Sequence, residues 1–147
     1  MARTMNMGRP HVVGGYRFMV ELDGMLVGGF SEVSGMSVET ELEEVKEGGV
    51  NHYVHRLPGR TKAQMIVLKR GITTSNELWV WYANVMNGTI QRKNGSIILY
   101  NELDAELRRW NFFDAYPCKW VGPDLNAVRS DIAVETLELA HNGLKAV

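Results

Sequence analysis

The residues in this sequence that could carry chemistry are, first of all, four histidines and one cysteine. His52 and His55 form an H-x-x-H pair, but a spacing of three on a strand places them on opposite faces, which disfavours a shared metal ion. Cys118 lies between Pro117 and Lys119, where a small packing or surface residue is favoured over an activated thiol. A single cysteine also excludes an internal disulfide and a cysteine-based zinc site. We therefore expect no metal and no cofactor.

Serine and glycine motifs do not predict a catalytic residue either. No serine lies in the G-x-S-x-G pattern of a nucleophile elbow. The glycines of 47–50 and of 34–36 do not follow a strand and open a helix, as a phosphate-binding loop requires. The sequence is therefore interpreted as that of a protein that is not an enzyme and whose surface carries its function.

A run of glutamates is the most unusual part of that surface. Glu39, Glu41 and Glu43 alternate with apolar residues that include Val38 and Leu42. Three carboxylates on one face of a strand repel one another unless cations or water surround them. The D-x-D-x-D-G order of a calcium loop is absent, so a solvated acidic face is favoured over a metal site. Three explanations stay open: a partner, a channel or solubility.

The composition limits the class of protein. Of the 147 residues, 45% are apolar and 22% are charged, which is typical of a soluble globular domain. The formal net charge is −1 and the basic residues are scattered, which disfavours nucleic acid as a partner. No apolar run approaches the roughly 20 residues of a membrane helix, so no stable membrane insertion is expected. The N-terminus lacks the features of a signal peptide, so we expect synthesis in the cytoplasm.

The chain that positions the glutamates and the other polar residues is predicted to consist mostly of β-strands. Residues 1–14 are predicted to form a flexible arm, and residues 15–147 a single domain. Apolar alternation, continuous apolar runs and turn signals predict strands at 16–22, 25–30, 36–46, 50–56, 63–69, 96–100, 107–113 and 131–140.

Local features refine the strand prediction. Asp23-Gly24 is the predicted turn of the first hairpin, and Leu57-Pro58-Gly59 is a second predicted turn. The prolines of 115–123 predict an irregular segment. The apolar residues of the last strand change face partway along it, so we expect either a bulge near Thr136 or a strand that passes between two sheets.

One helix is predicted at about residues 75–87. Thr74 and Glu77 have the spacing of a capping box, and Gly88 provides a C-terminal stop. The apolar residues that recur at helical spacing predict a core face formed by Leu78, Trp81, Tyr82 and Val85. The aromatic residues here could stack on sugars or bases, but packing on a sheet is favoured. Many strands with one helix predict a mainly β fold, an antiparallel β-barrel of two packed sheets with one flanking α-helix.

Several segments together resemble the inner tube protein of contractile tails. This family includes the tail tubes of T-even-type phages, R-type pyocins and extracellular contractile injection systems. The resemblance covers about residues 16–147. It is carried by the order and spacing of Phe30–Met36, Glu47–Asn51, Leu57–Arg60, Val67–Thr73, Leu78–Trp81, Trp110–Phe112, Ala115–Pro117 and Ile132–His141.

The resemblance implies a structural protein of the tail-tube type. Six copies are expected to form a ring around a lumen, and rings are expected to stack into a hollow tube that is driven through a target envelope when a sheath contracts. The implied partners are other copies of the chain, the sheath, baseplate or spike proteins, and terminator proteins. DNA, a tape measure or effector proteins are the possible cargo of the lumen.

Two groups of residues are predicted to serve this assembly. The adaptable contact between subunits or rings is assigned to the glycine-containing segment after the glutamates and to basic residues that could meet it: Glu43, Glu44, Lys46, Glu47, Gly48, Gly49, Val50, Asn51, His52, Arg60, Lys62 and Arg70. The N-terminal arm and residues 144–147 are secondary candidates. The predicted lumen-facing residues are Arg17, Glu21, Glu39 and Glu41.

Two other functions stay open from the sequence. One is a secreted ring protein of the type VI secretion kind, which shares the architecture. The other is a monomeric β-barrel that binds a small ligand between its tryptophans.

Overall fold

A computed structural model of the chain describes residues 13–23, 25, 28–45 and 55–147. Several predicted features lie outside these residues, namely most of the N-terminal arm, Gly24 of the first turn, and the contact candidates Lys46, Glu47, Gly48, Gly49, Val50, Asn51 and His52. The described elements are β1 (Phe18–Leu22), β2 (Phe30–Ser34), β3 (Val38–Val45), β4 (His55–Ala63), β5 (Ile66–Gly71), α1 (Glu77–Met86), β6 (Lys93–Tyr100), β7 (Glu106–Val121), β8 (Val134–Ala140) and β9 (Gly143–Ala146).

The strands form a seven-stranded antiparallel sheet and a separate two-stranded ribbon. The order in the large sheet is β1-β6-β7-β8-β5-β2, with β9 added to β7, while β3 pairs only with β4. The mainly β prediction with one flanking helix is confirmed for the described residues. The predicted closure into a barrel is wrong, because β1 and β2 stand at opposite ends of the strand order and do not pair with each other.

β7 connects two halves of the large sheet. Its first half pairs with β6 and β9, and its second half, Tyr116–Val121, pairs with β8. The irregular segment predicted at 115–123 is therefore largely wrong, since most of it continues this strand. Its pairing register shifts between Pro117 and Lys119, so the irregularity is confined to a bulge at Cys118.

β8 does not change face, and the bulge predicted near Thr136 is wrong. The residues of β8 alternate regularly, with Glu135, Leu137 and Leu139 buried. Ile132 lies before the strand begins and is exposed, so its position carries no information about the face of β8. The predicted passage of one strand between two sheets belongs to β7 instead.

The core lies between the two halves of the sheet and the helix. Its fully buried members include Ile66, Leu68, Ile97, Phe112, Leu137 and Leu139. Gly95 sits opposite Phe112 in the pairing of β6 with β7. A Cβ at Gly95 would collide with the Phe112 ring and lie 2.7 Å from the carbonyl oxygen of Glu21. Only glycine therefore allows the ring to cover this strand.

The predicted helix is confirmed, with bounds one or two residues shorter at each end. Leu78 and Trp81 are buried, and Tyr82 packs partly buried against the core, as the predicted core face requires. Val85 is half-buried. The predicted capping box is wrong: Asn76 is the N-cap residue, without a side-chain cap hydrogen bond.

Candidate assembly surface

The ribbon of β3 and β4 is the most exposed regular structure among the described residues. All eight residues of β3 are exposed. Val38, Leu42, Val45 and Leu57 are each between 43% and 63% exposed, although they are large apolar residues. A two-stranded ribbon is marginally stable by itself, and exposed apolar side chains favour burial against another surface. The ribbon therefore has the properties of a contact element.

The ribbon extends the hairpin of β2 and β5 beyond the large sheet. β2 pairs with β5 and β3 pairs with β4, so the four strands form one long hairpin with an interruption. At the interruption Gly35 has a φ of +83°, and a Cβ there would collide with the carbonyl group of Met65. The backbone N–H of Gln64 donates to the carbonyl oxygen of Ser37 across the same point, at 3.0 Å. The turn predicted at 57–59 is wrong, since these residues lie inside β4.

The glutamates of β3 face basic residues of β4 across the ribbon. Glu39 is in register with Lys62, and Glu44 with Arg56. Lys62 forms an ion pair with Glu41, whose hydrogen bond and charge raise the pKa of Lys62 above its ordinary value. The Glu44 carboxylate lies 3.8 Å from the Arg56 guanidinium. Cross-strand pairing thus offsets part of the repulsion that the sequence pattern implies.

Arg70 is not a surface cation and is withdrawn from the contact candidates. Its Nε donates to Glu135 Oε1 at 2.6 Å, and the two side chains are only 2% and 5% exposed. Trp120 donates from Nε1 to the other carboxylate oxygen at 3.1 Å. Arg70 Nη2 also donates to the carbonyl oxygen of Ser75, just before α1, at 3.3 Å. This group therefore joins β5, β7, β8 and the start of the helix. Among the other candidates Glu43 and Arg60 are exposed.

The four predicted lumen residues do not lie on one element. Glu39 and Glu41 lie on the ribbon, whereas Glu21 lies on β1 and Arg17 directly precedes it. Arg17 forms a 2.8 Å ion pair with Asp104.

Glu21 faces away from the core in a row that runs across four strands. Its register partner is Ser96, which pairs with Asn111, which pairs with Lys145. Ser96 Oγ donates to Asn111 Oδ1 at 2.8 Å. Arg109, on the same face, is 3.5 Å from Glu21 and 2.7 Å from Glu106, and its hydrogen bond lowers the pKa of Glu106. Sequence analysis missed this polar row because alternation does not show which strands are neighbours.

The sheet ends in strands whose outer edges have no partner strand among the described residues. β1 pairs with β6 and otherwise has only an isolated bridge between Leu22 and Met25, while β9 pairs only with β7 and β2 only with β5. β9 was not predicted, because a strand of only four residues, Gly143–Ala146, is too short to show a clear alternation of apolar and polar side chains. Unpaired edges attract strands of other chains.

Groups that could support catalysis are sparse. In the part of the chain that the structure describes, no three His, Cys, Asp or Glu side chains cluster as metal ligands. Burial raises the pKa of the Cys118 thiol, and the nearby Glu138 carboxylate raises it further. Trp79 stacks edge-on against Trp120 at 4.8 Å between ring centroids, so most of the aromatic cluster is used in packing.

None of the described helices is long and apolar enough to span a membrane.

This fold and surface define an open-edged antiparallel β protein of the tail-tube type, as comparison with solved structures shows. The chain is 27% identical to a chain in the anti-feeding prophage baseplate, 6-fold symmetrised, with a TM-score of 0.82 and coverage of 96% of this chain and 97% of that one. It is 24% identical to a chain of the PVC sheath-tube complex of an extracellular contractile injection system in the extended state, with a TM-score of 0.86 and coverage of 100% and 99%.

Hcp1 from Flavobacterium johnsoniae shares the fold at a lower TM-score of 0.56, with 19% identity and coverage of 88% of this chain and 93% of that one. No curated protein matches the chain in sequence. The sequence matches the T4-like virus tail tube protein gp19 family over residues 14–145. The chain belongs to this family, and the predicted function as a tail tube protein of contractile injection systems is confirmed.

Proposed function

We propose that six copies of this chain join edge to edge into a ring and that the rings stack into the hollow inner tube of a contractile particle. The observation that carries this proposal is the order β1-β6-β7-β9, in which four antiparallel strands have two outer edges without a described partner strand. Because the number of strands is even, β9 of one copy runs antiparallel to β1 of the next copy after rotation about a common axis. Edge pairing then supplies main-chain hydrogen bonds and removes the open edges.

The face that carries Glu21, Ser96, Asn111 and Lys145 is proposed to line the lumen. Its opposite face is apolar and packs in the core of the same chain. Because this row of polar residues repeats in each copy, the wall of such a channel carries polar side chains that bind water. Arg17 stays in this lumen proposal, while Glu39 and Glu41 are proposed to belong to contacts between copies, because they lie on the ribbon.

The ribbon and the segment between β7 and β8 are proposed as contacts between copies. Leu125, Val128 and Ile132 of that segment are each more than 80% exposed, which is costly for large aliphatic side chains unless a neighbour covers them. In the ribbon, Glu43, Glu44, Arg60 and Lys62 lie beside the exposed apolar residues. The remaining contact candidates, residues 46–52, lie in the sequence between β3 and β4 and are kept in the proposal.

The similar structures support partners beyond the chain itself. One is a baseplate and another a sheath–tube complex, so a surrounding sheath and a baseplate or spike are proposed partners. A terminator and a lumen cargo of DNA, tape measure or effector proteins are proposed with them. The tube is proposed to act as a passive conduit without catalytic turnover. A single domain over residues 15–147, preceded by an arm, is proposed as the repeating unit, made in the cytoplasm and built into the particle.

Size-exclusion chromatography and negative-stain microscopy of the purified chain test this function. Hexameric rings, and hollow tubes on a pre-formed baseplate or tube seed, are the expected result. A species that stays monomeric at high concentration and does not extend a seed would overturn the proposal, and it would favour a monomeric protein that binds a small ligand.

A further inference from the structure

Two oppositely charged side chains stand at the two outer edges of the strand order β1-β6-β7-β9, on the face that is proposed to line the lumen. Glu21 lies on β1, where its side chain is 55% exposed, and Lys145 lies exposed on β9. They are the two ends of the polar row that crosses the four strands. Three strand spacings separate them by about 14 Å, so they do not pair within one subunit.

The charges of this face are shared unevenly between the two edges. Arg109 lies 3.5 Å from Glu21 but makes its shorter contact, 2.7 Å, with Glu106. One guanidinium therefore serves two carboxylates on the side of β1. Lys145 forms no ion pair with any residue that the structure describes. Negative charge at one edge and positive charge at the other are complementary when two copies meet edge to edge.

The backbone of β1 offers two residues to a partner strand. The carbonyl oxygen of Arg17 accepts a hydrogen bond of 2.8 Å from β6. Because backbone groups alternate in direction along an antiparallel strand, Phe18, Val20 and Leu22 direct theirs toward the outer edge. The carbonyl oxygen of Leu22 already accepts a hydrogen bond from the N–H of Met25, at 3.1 Å. Phe18 and Val20 are therefore the residues of β1 that present both backbone groups to a neighbour.

β9 also offers two residues. The residue that follows β9 donates its backbone N–H to the carbonyl oxygen of Arg109 on β7, at 2.9 Å. Leu144 and Ala146 therefore direct their backbone groups toward the outer edge. Matching the two antiparallel edges places Leu144 opposite Val20 and Ala146 opposite Phe18. Because Leu144, Val20 and Phe18 all pack in or against the core, the apolar side of the sheet continues from one copy to the next.

We propose that this register forms the joint between neighbouring copies in a ring, and that Lys145 of one copy pairs with Glu21 of the next to hold it. The inference rests on the proposed edge-to-edge ring. In this register Lys145 stands opposite Met19, and Glu21 stands opposite Gly143. Lys145 and Glu21 are then diagonal neighbours, about 7–8 Å apart at the backbone and within reach of a lysine side chain. Gly143 has no side chain to fill the space between them.

Other registers are less favourable. A shift by one residue would place core side chains opposite lumen side chains. A shift by two residues in one direction places Lys145 opposite Arg17, so that like charges meet across the joint. A shift by two in the other direction places Leu144 opposite Leu22, whose carbonyl oxygen already has a donor. The proposed register is the one that avoids all three conflicts.

Exchange of charge between full-length chains tests the ion pair. Glu21→Lys and Lys145→Glu each make the facing charges alike, and each is expected to raise the concentration at which half of the chains form hexamers at least about threefold. In an equal mixture of the two variants, every joint between unlike chains again joins opposite charges. Native mass spectrometry, with one variant isotopically labelled, should therefore find hexamers that contain equal numbers of both. Lys119→Glu is the matched control, because it makes the same charge change where β7 pairs with β8, away from both edges.

Disulfide cross-linking tests the register separately, in a chain that carries Cys118→Ala. Met19→Cys with Lys145→Cys should link copies into ladders up to the hexamer on oxidation, because directly opposite residues of this kind have Cα atoms about 4.5 Å apart. Glu21→Cys with Lys145→Cys loses the same lysine, and it should link at least about fivefold more slowly because its two positions are diagonal.

Three results would overturn the inference. They are parental assembly by either charge variant alone, a mixture that assembles no better than its two components, and faster cross-linking through Glu21→Cys than through Met19→Cys. Failure of the parent chain to form rings would instead count against the proposed function, so the two failures are distinguishable.

Discussion

Arg70 Nε on β5 lies 2.6 Å from Glu135 Oε1 on β8 in the interior of the protein, although the two residues are 65 positions apart in sequence. Both side chains are nearly free of solvent contact. Trp120 and the carbonyl group of Ser75 satisfy further polar atoms of the pair. A buried ion pair of this kind contributes little net stability relative to apolar residues, but losing one partner leaves an uncompensated charge.

Arg70→Met is therefore expected to lower the free energy of unfolding by about 3–5 kcal/mol, because Glu135 would remain buried and unpaired. Urea denaturation at a concentration that keeps the protein dispersed measures the change. The double variant Arg70→Met with Glu135→Leu is the control, and it should recover most of the loss. A single variant as stable as the parent would show that water replaces the guanidinium.

Trp81→Ala is expected to destabilise the fold by about 3–5 kcal/mol, the range for large aromatic truncations in cores. Trp81 is 3% exposed, and its Nε1 donates to the carbonyl oxygen of Gln91 at 2.8 Å. Trp79, on the same helix, is 39% exposed, so Trp79→Ala is a matched control with a smaller loss. Thermal denaturation compares the two. An unchanged melting temperature for Trp81→Ala would contradict the burial of this ring.

The alternation along β5 was enough to predict that Arg70 faces the core, but it could not identify the residue with which Arg70 pairs. Ile66, Leu68 and Arg70 share one face of β5, so the period of two already places the arginine toward the core. Its assignment as a contact residue followed from charge alone. The partner Glu135 could not be found from the sequence, because nothing in either strand shows that β5 and β8 are neighbours.

The helix and the class of fold could be predicted, whereas the exact path of the long strand could not. Helical spacing of Leu78 and Trp81 was a strong local signal. Pro117 indicated a break, yet the bulge at Cys118 lets the strand continue past it. The exposure of the ribbon was also not predictable, because apolar residues such as Leu42 normally indicate a buried face.

Cys118 should react slowly with alkylating reagents, because its thiol has a raised pKa. The reactive species is the thiolate, and burial together with Glu138 disfavours it. At pH 8 the folded chain should therefore react with iodoacetamide at least about threefold more slowly than the urea-unfolded chain. The difference should shrink as the pH rises through the raised pKa. Equal rates in both states at pH 8 would contradict the effect of burial.

Replacing Gly48 and Gly49 together by Val should leave a folded subunit and suppress tube growth. These positions lie in the sequence between the two strands of the ribbon that is proposed to contact neighbouring copies, and valine removes the backbone freedom of glycine there. Circular dichroism checks the fold, and negative-stain microscopy of seeded reactions checks growth. Alanine at both positions is a milder control. Tubes of normal length from the valine variant would remove this segment from the contact proposal.

Ala146→Pro should block the joining of subunits while leaving the subunit intact. The backbone N–H of Val147 donates to the carbonyl oxygen of Arg109 in β7, at 2.9 Å. Because N–H groups alternate in direction along an antiparallel strand, the N–H of Ala146 points away from β7, toward the free edge. Proline removes this donor without breaking a bond to β7, and Ala146→Val keeps the donor at a similar side-chain position. Native mass spectrometry should therefore find hexamers for Ala146→Val and mainly monomers for Ala146→Pro, with similar melting temperatures. Hexamers from both variants would mean that the ring closes through another edge, for which β2 is then the leading choice because its outer edge also lacks a described partner.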